Sequence, residues 1–87
     1  YKELISKGAI IVDVRSQAEY KSGHINGSKN YPLDSLRGKI NDLKKLNKPV
    51  ITVCLSGGRS GMAKNILKAS GIEVYNGGPW TSLRSKI

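Results

Sequence analysis

Short runs of β-branched residues that alternate with helical patterns constrain this fold more than any other feature of the sequence. Residues 9–14 and 49–54 form two such runs, and the second predicts a central strand that is buried on both faces. Shorter segments at 28–31 and 72–75 predict two further strands. Because strands that alternate with helices are joined by right-handed crossovers, we predict a mainly parallel sheet covered by helices on both faces.

Helices are predicted in the segments between these strands. Ser16 and Glu19 have the spacing of a capping box, which opens a short helix that ends at Gly23. Asp34 or Ser35 is predicted to cap a second helix. Its apolar residues recur at helical spacing: Leu36, Ile40, Leu43 and Leu46.

The second half of the chain repeats this alternation. A turn at 55–58 leads into a third helix that Gly71 ends. Four apolar residues are predicted to share one side of that helix: Met62, Ala63, Ile66 and Leu67. The Asn-Gly-Gly-Pro segment at 76–79 predicts a turn, and a short last helix is expected over residues 80–86.

Length and composition limit the classes of protein to consider. The 87 residues allow one compact domain, which we predict to span 1–87. Cys54 is the only cysteine, which excludes an internal disulfide and a multi-cysteine metal centre. The longest apolar run is far shorter than the ~20 residues of a membrane span, so we expect no membrane partner.

The net charge of +9 leaves three interpretations open: a solvated basic surface, the steering of a small anionic substrate, or binding of nucleic acid. The lysines are spread along the whole chain, whereas a nucleic-acid-binding arm would concentrate them in one run. We favour the solvated surface, place anion steering second, and expect no nucleic-acid partner.

Cys54 stands where chemistry is expected in such a sheet, because ligands bind at the carboxyl ends of parallel strands. A lone cysteine is more often an apolar filler of the core than a nucleophile. Here, however, two glycines, Arg59 and the start of a helix follow the cysteine. Inward-turned amides at a helix start favour an anion, so we predict that the pKa of Cys54 lies below about 8.5 and that the thiol is reactive.

These residues resemble the rhodanese family. The loop is similar to the family pattern Cys-x-x-Gly-x-Arg-Ser, and the matching pieces occur in order over nearly the whole chain. They are Cys54, Gly57, Arg59 and Ser60 in the loop, Asp13-Val14-Arg15, Glu19-Tyr20, Gly23-His24-Ile25, Asn30-Tyr31-Pro32-Leu33, and Gly77-Gly78 with Trp80. The resemblance implies a three-layer rhodanese-like α/β sandwich with a sheet of four to five strands.

The resemblance also implies a sulfurtransferase that needs no cofactor and no metal. The Cys54 thiolate would take the sulfane sulfur of thiosulfate or of a persulfide and become a persulfide. It would then pass the sulfur to a thiol or to cyanide, in ping-pong fashion. Backbone amides would surround the sulfur as an anion-binding loop, as an oxyanion hole does. That loop comprises Leu55, Ser56, Gly57, Gly58, Arg59 and Ser60.

Other residues receive supporting roles from the same resemblance. Asp13 and Arg15 are expected to organise the loop, and Trp80 is expected to pack at the pocket rim. Arg59 has two open alternatives, since it can clamp an anionic donor or pair with a carboxylate and brace the loop.

A second hypothesis is a non-catalytic module that carries sulfur or docks onto a partner. For the enzyme we expect a small anionic sulfur donor, a thiol acceptor that can be the cysteine of a partner protein, and a monomer. A reduced reactive cysteine suits the cytoplasm. A periplasmic location stays open as an alternative, because the chain begins without methionine and a signal segment could precede it.

Overall fold

Four strands and five α-helices alternate along the chain in the computed structural model, which describes residues 1–87. The first half contains α1 (Lys2–Ser6), β1 (Ile10–Asp13), α2 (Gln17–Ser22), β2 (Lys29–Asn30) and a 3₁₀ helix (Leu33–Lys39). The second half contains α3 (Ile40–Leu46), β3 (Val50–Cys54), α4 (Gly58–Ala69), β4 (Val74–Pro79) and α5 (Trp80–Lys86). None of these helices has the length and apolarity that crossing a membrane requires.

The sheet has the order β2-β1-β3-β4, and every pair of neighbouring strands is parallel. This arrangement confirms the predicted parallel α/β fold, with four strands. Since β3 lies between β1 and β4, it exchanges hydrogen bonds on both edges. Its five residues are all buried, as the run of β-branched residues predicts.

Side chains of β3 alternate between two apolar clusters, one on each face of the sheet. Val50 and Cys54 belong to a cluster of ten buried residues that includes Leu36, Leu43 and Leu67, which come from the 3₁₀ helix, α3 and α4. On the opposite face, a second cluster contains Ile11, Ile25, Ile51, Val53 and Leu83, with Leu4, Ile5, Ala9 and Trp80 packed against it. The two-residue period of a strand therefore places Cys54 on the face that α4 covers.

The predicted helix with a cap at Asp34 or Ser35 is wrong in its first half. A 3₁₀ helix begins after Pro32 and has no side-chain cap. The Ser35 hydroxyl donates a 3.1 Å hydrogen bond to the Pro32 carbonyl, so it does not accept from a backbone amide as a cap would. Leu36 and Leu43 are buried as predicted, whereas Leu46 is exposed.

Two other expectations are corrected by packing. Met62 is 59% exposed, so the apolar side of α4 is narrower than predicted and is formed by Ala63 and Leu67, with Ile66 partly buried. The segment 76–79 continues β4 and is not a separate turn. Gly77 is an extra residue in this strand, because Asn76 pairs with Thr52 while Gly78 pairs with Val53.

Candidate active site

Cys54 is the last residue of β3, and α4 begins only four residues later. Its side chain is fully buried beneath the connecting loop, whose residues Leu55 and Ser56 are exposed. Gly57 caps α4 with a φ of +102°, in the left-handed region that favours glycine. The Gly57 N–H donates a 2.9 Å hydrogen bond to Cys54 Sγ.

The pKa of Cys54 is lowered from its ordinary value. Burial acts in the opposite direction and raises the pKa, because it disfavours a charged sulfur. Hydrogen bonds from the Ser60 hydroxyl and from the amides of Ser60, Gly57 and Ser56 outweigh that effect. The arrangement therefore stabilises a thiolate at the amino end of α4, where the helix dipole also favours negative charge.

Ser60 lies between the sulfur and β4. Its buried hydroxyl oxygen is 3.3 Å from Cys54 Sγ and 2.7 Å from Asn76 Oδ1. Asn76 was not a predicted site residue, because the Asn-Gly-Gly-Pro segment has the composition of an ordinary turn. The pairing of β4 with β3, in which Asn76 lies beside Thr52, brings it against the loop.

Arg59 pairs with Glu19, the residue that also completes the capping box with Ser16. The guanidinium donates to the two carboxylate oxygens at 2.6 and 2.9 Å. These bonds from Arg59 are the main reason that the pKa of Glu19 falls to about 2, and the pKa of Arg59 rises in turn. Of the two alternatives left open for Arg59, the structure shows the brace, a tie between α4 and α2.

Asp13 and Arg15 form a buried ion pair with a shortest N–O distance of 2.6 Å. Arg15 also donates to the carbonyls of Gly23 at 2.7 Å and of Glu19 at 3.3 Å. Arg15 thus contacts the carbonyl of Glu19 within α2 and that of Gly23, which caps the end of the helix. Since α2 carries the partner of Arg59, this support reaches the sulfur loop only indirectly.

Trp80 lies at the start of α5, where its ring stacks on two guanidinium groups. The Arg15 and Arg84 groups are each 4.7 Å from the ring centroid. A Cβ atom added to Gly23 would come within 3.2 Å of the Trp80 ring, so the ring packs closely against this residue. The predicted rim residue therefore packs against the arginine that supports α2.

A groove of about 440 Å³ opens beside Arg59. Most of the atoms exposed in its wall are apolar, although polar and charged residues contribute to it; the lining comprises Val14, Ser16, Gln17, Pro32, Leu33, Asp34 and Arg59. A second groove, of about 300 Å³, includes Lys48 and Pro49, which precede β3, so it lies at the amino end of that strand. The first groove is lined in part by Arg59 of the sulfur loop, whereas no residue of that loop lines the second.

No group of three or more His, Cys, Asp or Glu side chains is arranged to hold a metal ion. The ring of the single histidine, His24, stacks on that of Tyr20, with 3.8 Å between the ring centroids. Its Nδ1 is 2.8 Å from the Tyr20 carbonyl oxygen.

Comparisons with known proteins point to one family. A family model described as a rhodanese-like domain matches residues 1–79. The chain is 39% identical over 69 residues to the uncharacterized protein YqhL of Bacillus subtilis, covering 78% of this chain and 54% of that protein. It is 37% identical over 76 residues to the thiosulfate sulfurtransferase GlpE of Ectopseudomonas mendocina, covering 86% of this chain and 69% of the enzyme. A putative sulfur carrier protein of Bacillus subtilis, YrkF, is 36% identical over 63 residues, which cover 72% of this chain and 34% of that protein.

Solved structures agree with these relatives. A rhodanese-related protein from Thermoplasma volcanium superposes with a TM-score of 0.82 at 30% identity, covering 98% of this chain and 84% of that one. A rhodanese from E. coli, solved with anions, gives a TM-score of 0.78 at 31% identity, covering 86% of this chain and 91% of that one. The chain spans about half the length of the first Bacillus relative.

Proposed function

The chain belongs to the rhodanese-like domain family, a family of sulfurtransferases and sulfur carriers, and on that premise we propose that it transfers sulfane sulfur through a persulfide on Cys54. The observation that carries this proposal is the 2.9 Å hydrogen bond from the Gly57 amide to Sγ, in a site that lowers the pKa of the thiol. A thiolate is both the better nucleophile and the better leaving group, and sulfur transfer uses it in both roles.

In the first step, the Cys54 thiolate attacks the outer sulfur of thiosulfate or of a persulfide. A new S–S bond forms at Cys54, the S–S bond of the donor breaks, and its electron pair leaves with sulfite or with a thiolate. In the second step, an acceptor thiolate or cyanide attacks the outer sulfur, and Cys54 departs as the thiolate. Two displacements through a covalent intermediate give ping-pong kinetics.

The donor has to pass the loop of residues 55–57, because that loop covers the sulfur. Arg15 and Arg59 are already paired with carboxylates, so an anionic donor would be bound mainly by loop amides. The mainly apolar groove beside Arg59 suits the organic part of a persulfide or of an acceptor thiol. We therefore propose that organic persulfides react faster than thiosulfate.

Mass spectrometry of the intact protein tests this function. After brief treatment with thiosulfate or glutathione persulfide, the wild type should gain one sulfur atom, whereas Cys54→Ser should gain none. Subsequent addition of cyanide or glutathione should remove the extra sulfur. If neither donor modifies the folded wild type, the proposal is overturned.

A sulfur carrier is the second candidate, and two observations favour it. One relative is a putative sulfur carrier protein, and Cys54 has no exposed surface. A carrier would form the persulfide once and release it slowly to small acceptors. Steady-state turnover that stays negligible with every small donor and acceptor, despite stoichiometric loading, would identify the carrier.

A further inference from the structure

The Ser60 hydroxyl has a single proton but three possible acceptors. Its oxygen is 3.3 Å from Cys54 Sγ, 3.1 Å from the Gly57 carbonyl oxygen and 2.7 Å from Asn76 Oδ1. A hydroxyl can donate to only one of these atoms at a time. Asn76 Oδ1 is the nearest of the three atoms to the hydroxyl oxygen, so Asn76 is the main competitor of the sulfur.

The orientation of the Asn76 amide is fixed by its second contact. The Gly78 N–H donates a 2.9 Å hydrogen bond to Asn76 Oδ1, so this atom has to be the oxygen and not the nitrogen. The hydrogen bond to Gly78 spans only two residues and lies within β4. Asn76 therefore presents an acceptor to Ser60 in every protonation state of the cysteine.

We propose that Asn76 is a positioning residue that competes with the Cys54 sulfur for the Ser60 proton. In the thiol form, Cys54 S–H donates to Ser60 Oγ, and Ser60 donates to Asn76. When the thiol proton leaves to water, the Ser60 O–H can stabilise the thiolate only by turning away from Asn76. No bond other than S–H breaks. Asn76 thereby opposes the ionisation of Cys54 that the hydrogen-bond donors of the loop favour.

The charged groups around the sulfur are provided by three other elements. Arg59 of α4 interacts electrostatically with both Cys54 and Asp13 of β1. Asp13 is in turn paired with Arg15, and Arg59 with Glu19 of α2. On β4, the contacts with Ser60 and its partner come from Asn76 and Gly78, which do not titrate. A change at Asn76 therefore leaves every ion pair of the site in place.

The ionisation of Cys54 can be followed by the ultraviolet absorbance of its thiolate as a function of pH. The Cys54→Ser protein of each background serves as the blank for the four tyrosines. Asn76→Ala frees the Ser60 proton for the sulfur. The pH midpoint of Cys54 ionisation in this variant should therefore lie about one pH unit below that of the wild type, a roughly tenfold change in ionisation equilibrium. Ser60→Ala should move the midpoint upward.

The double variant decides whether Asn76 acts through Ser60. In the Ser60→Ala background, Asn76→Ala should leave the midpoint unchanged. Asn76→Asp keeps both acceptor contacts and holds the hydroxyl more strongly, so it should raise the midpoint, and by more when Ser60 is present than in Ser60→Ala. This variant decides the question alone if Asn76→Ala does not fold.

An upward shift in folded Asn76→Ala, or Asn76 effects of equal size with and without Ser60, would overturn the proposal. The inference deepens the proposed function, since it concerns the same sulfur. Its readout needs no sulfur donor, however, so the two can fail separately. Loss of sulfur loading in the wild type would leave the titration result intact, and the reverse also holds.

Discussion

Charges at the carboxyl end of the sheet are balanced in pairs. Arg15 is buried with Asp13, and Arg59 is held by Glu19, with both side chains about one-third exposed. The negative charge of a Cys54 thiolate is therefore stabilised chiefly by hydrogen-bond donors, and not by an unpaired cation. Donors fixed by the backbone need little reorganisation when charge develops, as in an oxyanion hole.

Glu19→Gln tests the brace between α2 and α4. The pKa of Glu19 is about 2 in the folded protein and 4.5 ordinarily, so the folded state favours the carboxylate. The Glu19 carboxylate therefore stabilises the folded state fully above pH 4.5, and this stabilisation is lost as the pH falls toward about 2. In urea denaturation, the free-energy difference between wild type and Glu19→Gln should be largest near neutral pH and shrink across that window. A difference that stays constant throughout the window would contradict the predicted linkage.

At the scale of elements, the site depends on the junction of β3, α4 and β4. The Thr52 hydroxyl donates a 2.9 Å hydrogen bond to the Ser60 carbonyl, which ties the central strand to the first turn of α4. The bulge at Gly77 lets β4 continue to Pro79, which pairs with Cys54. The first feature holds the turn of α4 that carries Ser60, and the second keeps β4 paired with the end of β3.

Gly77→Ala should therefore destabilise the fold. A Cβ atom at this position would lie 2.9 Å from Ile51 Cγ2 and 3.0 Å from the Thr52 carbonyl oxygen. Because the carbonyl belongs to the central strand, relief requires β4 to shift, and overpacking of this kind costs about 1–3 kcal/mol. Urea denaturation measures the change in the free energy of unfolding.

Gly38→Ala is the matched control for this prediction. Gly38 has open space around its Cβ position and no positive φ. Alanine should be neutral there or stabilise the protein by up to about 1 kcal/mol, since it restricts the unfolded chain. Equal effects of the two substitutions would show that the space between β3 and β4 is not limiting.

At the scale of the whole molecule, the two apolar clusters share one sheet of four short strands. Leu83 of α5 belongs to the cluster opposite the face that contains Cys54. Because the same strands contribute side chains to both clusters, loss of the helix packing on one face would also disrupt the packing on the other. We therefore expect the helices and the sulfur site to unfold together.

Leu83→Ala tests this coupling, because its side chain is fully buried. The substitution should cost about 2–5 kcal/mol. Unfolding in urea is followed by circular dichroism and by the thiolate absorbance of Cys54, at a pH below the ordinary thiol pKa. The midpoints of the two transitions should shift to lower urea by the same amount. Leu46→Ala, at a residue that is 42% exposed, should change the stability by less than about 0.5 kcal/mol. Separate transitions for the two probes would refute the single cooperative unit.

Local sequence patterns were sufficient for the parallel α/β fold, the capping box of Ser16 and Glu19, the span of α5 and the place of Cys54 at a strand end. Each of these follows from the period of apolar residues or from hydrogen bonds between close neighbours, which short segments specify by themselves. The same patterns were wrong about the 3₁₀ helix and about the course of β4, where packing against the sheet overrides local preference.

Only the tertiary structure decided which groups meet around the sulfur. Arg59 and Glu19 are 40 positions apart, and Ser60 and Asn76 are 16 apart. No local period relates such residues. Their contact depends on the strand order and on the helices that connect the strands. The sequence alone thus determined that a cysteine ends the central strand, and the fold determined which partners hold its charge.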